Sequence, residues 1–558
     1  MSSPTAPRLT LTHWLVIAIA SIGFLFDTYE LLMTPLAGVP AIAELLNVPP
    51  NNPLVTDWMG RMLWMTALCG GTFGLLGGWL IDRFGRKRIM AVSIFVYALS
   101  PFAAAFSTTL GAFIFFRCTT FIGVCVEFVA AITWLAELFP DKRRKEIVLG
   151  STQAFASLGG LLVTGVNAWL VARAATLPTL PLPEIFNAHG SWRYLLMTGL
   201  LPAIPIALLL PFVPESQIWR EKRAAGTLLR PSFGALFSPE LRRVTLVTAL
   251  LSACAYAAAF GALQLTPLRI APGLPELAEQ RQSLKPLNDE ATEMNKQLLA
   301  AKPAFDQAVA EVPGLRELAA QRSKNRVAFR AANKGGDNEK VAALGSDFKT
   351  LGAKLAELTA AKPDAKKALV EREKILKGLG DNREKVEPFD KAVKERGNTV
   401  QFRQEMGGLV GRIILAVLVV TAIARRRLLQ LFIIPGIAAF PIAYCHIYPV
   451  GGALFDWSVF LCGLLVVGQF SYFGEYLPKI FPLHLRGTGG SFATNVGGRM
   501  IGTSAAFLTT NLLAPAMRGA NTYDKVAFAA GVVGLSVFVI AFAASFFLPE
   551  PKAEPSAE

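Results

Sequence analysis

Runs of mainly apolar residues, each about 20 long, recur along this chain, and nothing else in it constrains the fold as strongly. A helix needs about 20 such residues to cross the hydrocarbon core of a bilayer, where lipid offers no partner to an unpaired backbone group. About twelve runs meet that length. They lie near 12–34, 58–80, 88–109, 111–138, 147–172, 192–213, 244–267, 406–424, 428–448, 456–477, 488–514 and 525–548, and the third and fourth nearly touch. The expected fold is an all-α integral membrane protein with twelve transmembrane helices. Composition agrees, since 53% hydrophobic and 17% charged residues leave too little charge for a soluble chain of this length. The first run is no cleavable signal: it is long, holds Asp27 and Glu30, and lacks a small-residue cleavage site.

A formal charge of +15 raises nucleic acid as a partner, but its distribution argues against that. Basic residues cluster in alternate loops, at Arg83–Arg88, Lys142–Lys145, Arg220–Arg243 and Arg425–Arg427, whereas residues 35–57 hold no Lys or Arg. Such asymmetry is the positive-inside pattern, which predicts a multi-pass protein of the cell (inner) membrane with both termini in the cytoplasm. The six cysteines all fall inside the apolar runs, so they read as small buried hydrophobes rather than a disulfide framework or a zinc site. Only four histidines occur, with no HExxH, no GxSxG and no phosphate loop. The chain therefore reads as neither an enzyme nor an ATP-driven pump, and no cofactor or metal is expected.

One region breaks the apolar rhythm. From 271 to 404 the chain turns polar and rich in Ala, Lys, Glu and Leu, with helical propensity and opposite charges at i, i+4. AAKP occurs at Ala300–Pro303 and again at Ala360–Pro363, and FDQAV at Phe305 echoes FDKAV at Phe389. Helical hairpins with a weak internal repeat are expected. By parity of spans this insert lies outside the cytoplasm, between the seventh and eighth helices. It reads either as a solvated decoration or as a module that docks a protein partner or a second copy.

The loop between the second and third runs reads GGWLIDRFGRKRIM, Gly77 to Met90. It closely resembles the loop signature between the second and third helices of the major facilitator superfamily. Other stretches resemble the sugar-porter and metabolite–proton symporter branches. These are Arg117, Gly123, Glu137, Pro140 and Arg144 around the fourth run, VPESQIWR from Val213 to Arg220, and Glu475, Pro478, Arg486, Gly487 and Gly489 in GEYLPKIFPLHLRGTGG. The resemblance implies two pseudo-symmetric six-helix bundles. The first covers 1–213, and a cytoplasmic loop at 214–243 follows it. Helix 7 lies at 244–270, the insert at 271–404, helices 8–12 at 405–548 and a cytoplasmic tail at 549–558. It also implies a monomer that moves a solute by alternating access.

Gating is the physical role the resemblance gives these loops. Helix-end charges can pair with one another and with helix termini, and rocking of the bundles breaks and remakes the bonds. The cytoplasmic gate expected comprises Gly78, Asp82, Arg83, Gly85, Arg86, Glu137, Arg144, Glu215, Glu475 and Arg486. Lys87 and Arg88 read as topology signals. The second-half counterpart, GRIILAVLVVTAIARRRLL, keeps Gly411 and the basic cluster but has no acid where Asp82 would repeat. Unequal gates are expected.

Charges inside spans point to coupling and substrate, because an ionised group at mid-membrane is costly unless it faces a cavity or a partner. Asp27 and Glu30, three apart in FLFDTYELLM, share one helical face. The stretch resembles the F-D-G-Y-D-L sequence of metabolite–proton symporters, which implies that Glu30 faces Arg117. A carboxylate that alternates between arginine and a proton is a workable switch, so Asp27, Glu30 and Arg117 are the proton-coupling candidates; a static ion pair is the alternative. Glu127, Gln153, Gln264, Arg412, Tyr472, Asn495 and Arg499 are the substrate-binding candidates. Asn495 and Arg499 stand at i, i+4, and arginine suits a carboxylate or phosphate through its bidentate geometry. An anionic metabolite such as an organic or sugar acid, carried with protons, is the leading expectation. The seventh run, TLVTALLSACAYAAAFGALQL, carries only Tyr256 and Gln264 where sugar porters place paired glutamines and tyrosines. A neutral sugar therefore ranks second, beside a transporter-like receptor whose insert docks a partner.

Overall fold

A computed structural model describes residues 10–46, 48, 53–139, 141–173, 177–178, 180–182, 190–201, 203–334, 338–421 and 423–551. Pro140 and positions 552–558 of the expected tail lie outside the described residues. Among those described, every regular element is helical.

Five helices open the chain: α1 Leu11–Leu46, α2 Pro53–Phe84, α3 Arg86–Ala105, α4 Leu110–Leu138 and α5 Lys142–Arg173. After α6, Ser191–Phe212, comes a short surface helix α7, Gln217–Ala224, and then α8, Arg242–Gly273. The polar region contributes α9 Ala278–Glu311, α10 Leu315–Lys334, α11 Asn338–Leu358 and the 56-residue α12 Pro363–Leu418. The rest is α13 Arg425–Ile447, α14 Gly452–Ile480, a broken helical segment at 486–516 (α15), and α16 Thr522–Ser545.

Ten of these helices are long and apolar enough to cross a membrane. Two expected runs take other forms. Residues 406–424 fold mainly as the end of α12, and 488–514 fold as α15, in which α-helical turns alternate with π turns at Phe492–Gly502 and Leu508–Leu513. Helix ends are set locally. Thr109 caps α4 through its side chain, which accepts from Ala112 N at 3.2 Å, and Asn521 caps α16 by accepting from Asp524 N at 3.0 Å. Between α2 and α3 the chain turns on Gly85 alone, at φ +110, a backbone region that L side chains seldom adopt. A Cβ at Gly85 would also lie 2.4 Å from the Glu215 carboxylate.

The chain divides into two compact units, Met1–Glu276 with Arg396–Glu558, and Leu277–Glu395. In the first unit the apolar cores are segregated. Two are built from residues between Val16 and Val213, one around Trp134 and Tyr97 and one around Tyr29 and Trp192. A third joins Leu236 to Leu548 through Phe432, Phe440, Tyr444 and Tyr472.

The second unit has a small core of its own, from Phe305, Val312, Leu315, Leu355 and Leu369. Arg322 pairs with Glu373 at 2.5 Å, and Arg330 pairs with Glu384 at 3.4 Å and with Asp381. Its bounds are narrower than the 271–404 expected from composition. Ala271 and Leu274 at one end, and Val400, Gln404 and Glu405 at the other, are buried parts of the first unit. The AAKP repeat is not a structural repeat, for Pro303 sits inside α9 while Pro363 begins α12.

At the boundary, Arg396 Nε donates to Glu276 Oε1 at 2.8 Å and Nη1 to Asp456 Oδ1 at 2.7 Å. The two ends of the inserted unit thus lie within one ion pair. Replacing 277–395 by a short Gly/Ser linker should therefore preserve folding of the remainder, with a melting temperature within a few degrees of the full chain. A drop of more than about 10 °C would show that the insert braces the rest.

Candidate functional site

A cavity in the first unit gathers side chains from seven helices. Its lining includes Asp27 of α1, Phe128 of α4, Gln153 of α5, Tyr256 of α8, Glu405 and Arg412 of α12, and Arg499 of α15. α14 adds Phe470 and Phe473, and Gln264 follows Tyr256 along α8. Non-atom space amounts to about 980 Å³, open solvent at the mouth included. Arg499 Nη2 donates to Asp27 Oδ2 at 3.2 Å, and the guanidinium lies 5.6 Å from the Phe128 ring centre. Arg412 Nη1 donates to Gln153 O at 2.9 Å and to Ser471 Oγ at 3.1 Å. Several buried lining atoms have no partner within the protein: Gln153 Oε1, Ser157 Oγ, Ser252 Oγ, Gln404 Oε1, Arg412 Nε and Arg499 Nε. Buried polar atoms normally find partners, and these six leave the cavity lining with hydrogen-bonding capacity that the protein itself does not use.

Five of the expected site residues lie in this lining: Asp27, Gln153, Gln264, Arg412 and Arg499. Five others do not. Glu30 sits behind it, with Arg117 Nη1 3.8 Å from Glu30 Oε2, Nη2 donating to Glu30 O at 3.2 Å, and a further bond to Thr34 Oγ1. Both carboxylate oxygens of Glu30 lack a hydrogen bond, as do those of Glu127, which packs against Gly23. Asn495 bridges Cys125 O at 3.1 Å and Ser491 Oγ at 2.7 Å, and Tyr472 stacks on Tyr476 with ring centres 5.4 Å apart. The two acids on the shared face of α1 therefore serve different arginines, Asp27 facing Arg499 and Glu30 facing Arg117.

A dense ionic network closes the end of the bundle that carries Gly77–Met90. Arg86 is fully buried and gives Nε and Nη2 to Glu137 Oε1 at 3.1 and 2.9 Å, with Asp82 Oδ1 at 3.4 Å. Asp82 in turn caps the start of α15 from another helix, accepting from Gly487 N at 3.0 Å and Thr488 N at 2.7 Å. That end of a helix carries partial positive charge, so a buried carboxylate there is well matched. The approach is close because neither crossing residue has a side chain: a Cβ at Gly78 would lie 2.5 Å from Gly487 O. Glu215 accepts from the Arg86 and Lys87 amides at 3.0 and 3.1 Å, and Arg486 lies 3.8 Å from Glu137. Three residues of the expected gate sit apart from this knot, Glu475 among them, which bonds Lys479. Arg83 stacks on Trp79 and Phe84, and the Arg144 amide donates to Asp141 at 2.8 Å near the start of α5.

The family model described as Major Facilitator Superfamily matches residues 14–280, and known folds extend the likeness beyond them. A proton:xylose symporter XylE bound to 6-bromo-6-deoxy-D-glucose aligns over 97% of this chain and 96% of its own, at 17% identity and TM-score 0.53. FucP in an outward conformation aligns over 95% and 99%, at 14% identity and TM-score 0.52. Residues 14–280 thus resemble the major facilitator superfamily, and nearly the whole chain shares the fold of these solved structures. Among curated relatives, the cis,cis-muconate transport protein of Acinetobacter baylyi (strain ATCC 33305 / BD413 / ADP1) is 31% identical over 152 residues, 27% of this chain and 33% of that protein. The niacin transporter NiaP of the same strain is 26% identical over 206 residues, 37% and 41% respectively. The chain thus matches only about a third to two-fifths of those relatives' length, and the relatives bear the names of transport proteins.

A second network in this chain mirrors the first. Arg425 pairs with Glu146 and lies 3.5 Å from Glu475, while Lys479 reaches Glu146 at 3.1 Å and bonds Glu475. Glu550 accepts from the Arg425 and Arg426 amides at 2.9 and 3.0 Å, as Glu215 does for Arg86 and Lys87. The loop does lack an acid where Asp82 would repeat, since Thr421 stands there. Glu146 of α5 supplies it instead. Glu146, Lys479 and Glu550, which complete this network around Arg425, lie outside the loop, so the loop's own sequence gives no sign of them. A Pro-Glu pair closing both halves, at Pro214–Glu215 and Pro549–Glu550, was the available signal.

Proposed function

We propose that this protein is a secondary active transporter that moves a small organic anion together with protons by alternating access. The observation that carries the reading is Arg412 and Arg499 in one cavity with unmet polar atoms, above an ionic network that closes one end. Arginine binds carboxylates through paired donors, and the ring faces of Phe128, Phe470 and Phe473 suit a flat carbon skeleton. cis,cis-Muconate and niacin, the molecules in two relatives' names, are flat carboxylates.

In this reading the chain makes twelve spans in two six-helix bundles, with helix 8 at the end of α12 and helix 11 as α15. Both termini and the Gly77–Met90 network lie on the cytoplasmic side of the cell membrane. The insert lies on the opposite side as decoration, and the protein acts as a monomer. Asp27, Glu30 and Arg117 carry proton coupling. Arg412, Arg499, Gln153 and Gln264 contact solute, with Tyr472, Asn495 and Glu127 shaping the wall behind. Gating is the work of Asp82, Arg86, Glu137, Glu215, Glu475 and Arg486. A neutral sugar is the second reading, favoured by the amides of Gln153, Gln264 and Gln404 in the lining.

Proteoliposomes with an imposed inward proton gradient test the proposal. A panel of organic acids and sugars should yield at least one carboxylate that accumulates above its external concentration and is released when the gradient is collapsed. Accumulation of neutral sugars alone would favour the second reading, and binding without flux for every compound would favour a receptor.

A further inference from the structure

The cavity carries a second acid that the coupling scheme above does not use. Glu405 is 7% exposed and lies on α12 seven residues before Arg412, two turns apart and so on the same face. Seven residues span about 10.5 Å of helix, and no ion pair joins them. The nearest hydrogen-bond donor to Glu405 is the Gln404 amide, at 3.4 Å from Oε1, and its other oxygen is aimed at Gly160 of α5. Arg412 Nε and Gln404 Oε1 are themselves buried without partners.

The titratable and charged groups of the lining are Asp27 on α1, Tyr256 on α8, Glu405 and Arg412 on α12, and Arg499 on α15. The lining residues from α4, α5 and α14 carry no charge. Two carboxylates and two guanidiniums leave the cavity neutral. Asp27 is held by Arg499, so Glu405 is the acid that balances Arg412 without touching it. An anion entering between them meets one positive charge and one negative charge, and the negative one must go.

We infer that Glu405 is a proton-binding specificity residue. When a carboxylate settles on Arg412, Glu405 takes up one proton from solvent, turns from repelling anion to hydrogen-bond donor, and gives that proton's bond to the second oxygen of the guest. No covalent bond changes. One anion and one proton enter together, and the charge of the cavity stays constant. A neutral sugar draws no proton by this route. The inference rests on the anion reading of the same cavity.

The test uses purified full-length protein in weakly buffered detergent, with benzoate and nicotinate as probes and a pH-indicator dye as readout. Wild type should take up close to one proton per bound anion, with affinity falling about tenfold per pH unit once Glu405 ionises freely. Glu405→Gln should still bind, without proton uptake and with flat pH dependence, while Glu405→Asp should restore uptake. Equal proton uptake in Glu405→Gln and wild type overturns the inference and leaves the anion reading intact. No binding of either carboxylate by folded wild type overturns both.

Discussion

Replacing Glu30 with Gln should cut proton-driven accumulation about tenfold for each unit of pH gradient while exchange of solute across the membrane continues. For one proton per solute, a gradient of one pH unit is about 1.4 kcal/mol, hence about a tenfold accumulation ratio. Glu30→Gln should lose the roughly tenfold factor that the Glu30 proton contributes, with counterflow of labelled solute retained. The reason lies in the local chemistry. Glu30 is 1% exposed, both its carboxylate oxygens lack hydrogen bonds, and Arg117 stands 3.8 Å away, so the acid has one loose partner to trade for a proton. Asp27→Asn should resemble it less closely, because Asp27 also orders Arg499 in the cavity and its loss should weaken solute binding too. If both variants accumulate solute as wild type does, neither acid couples protons and the Glu30–Arg117 pair is a fixed brace between helices.

Arg86→Ala should have the largest effect of any gate substitution. It strips Glu137 of two donors and Asp82 of its ion pair, leaving two buried carboxylates without that cation. Breaking a buried ion pair by removing one partner costs about 3–5 kcal/mol, a shift of about two to four powers of ten in an equilibrium. The protein can escape that cost by opening the end where the acids regain water. A single cysteine placed at Ser491, buried beneath the network with its hydroxyl on Gly74 O at 2.5 Å, should become rapidly alkylated in Arg86→Ala, and transport should fall steeply. Arg86→Lys should lie between, since it keeps the charge but not the forked donors. Unchanged alkylation together with normal transport would remove this network from the gating cycle.

The sequence made the spans visible because lipid demands length and apolarity, and both are local. It also made Asp82 and Arg86 visible, through their spacing beside Gly85. What it hid depended on distance or on continuity. Asp27 and Arg499 are 472 residues apart, and nothing local hints that they meet. Glu405 was lost for the opposite reason. α12 crosses from the polar region into the apolar one without a break, and Glu405 falls at the junction, just outside both the insert at 271–404 and the apolar run at 406–424. Glu146 was masked by its basic neighbours in KRRKE, which read as a topology signal until the fold set it against Arg425.

Glu215 and Glu550 each follow the last long helix of their own half, and each returns to cap the helix that begins at Arg86 or at Arg425. Each half thereby fastens its exit to its own interior with bonds that do not involve the other half. The connecting stretch around Gly226–Arg230 then joins two parts that each brace their own ends. A chain organised this way has the makings of a two-piece assembly. The halves are free to diverge in what they contact while the means of holding each together stays the same.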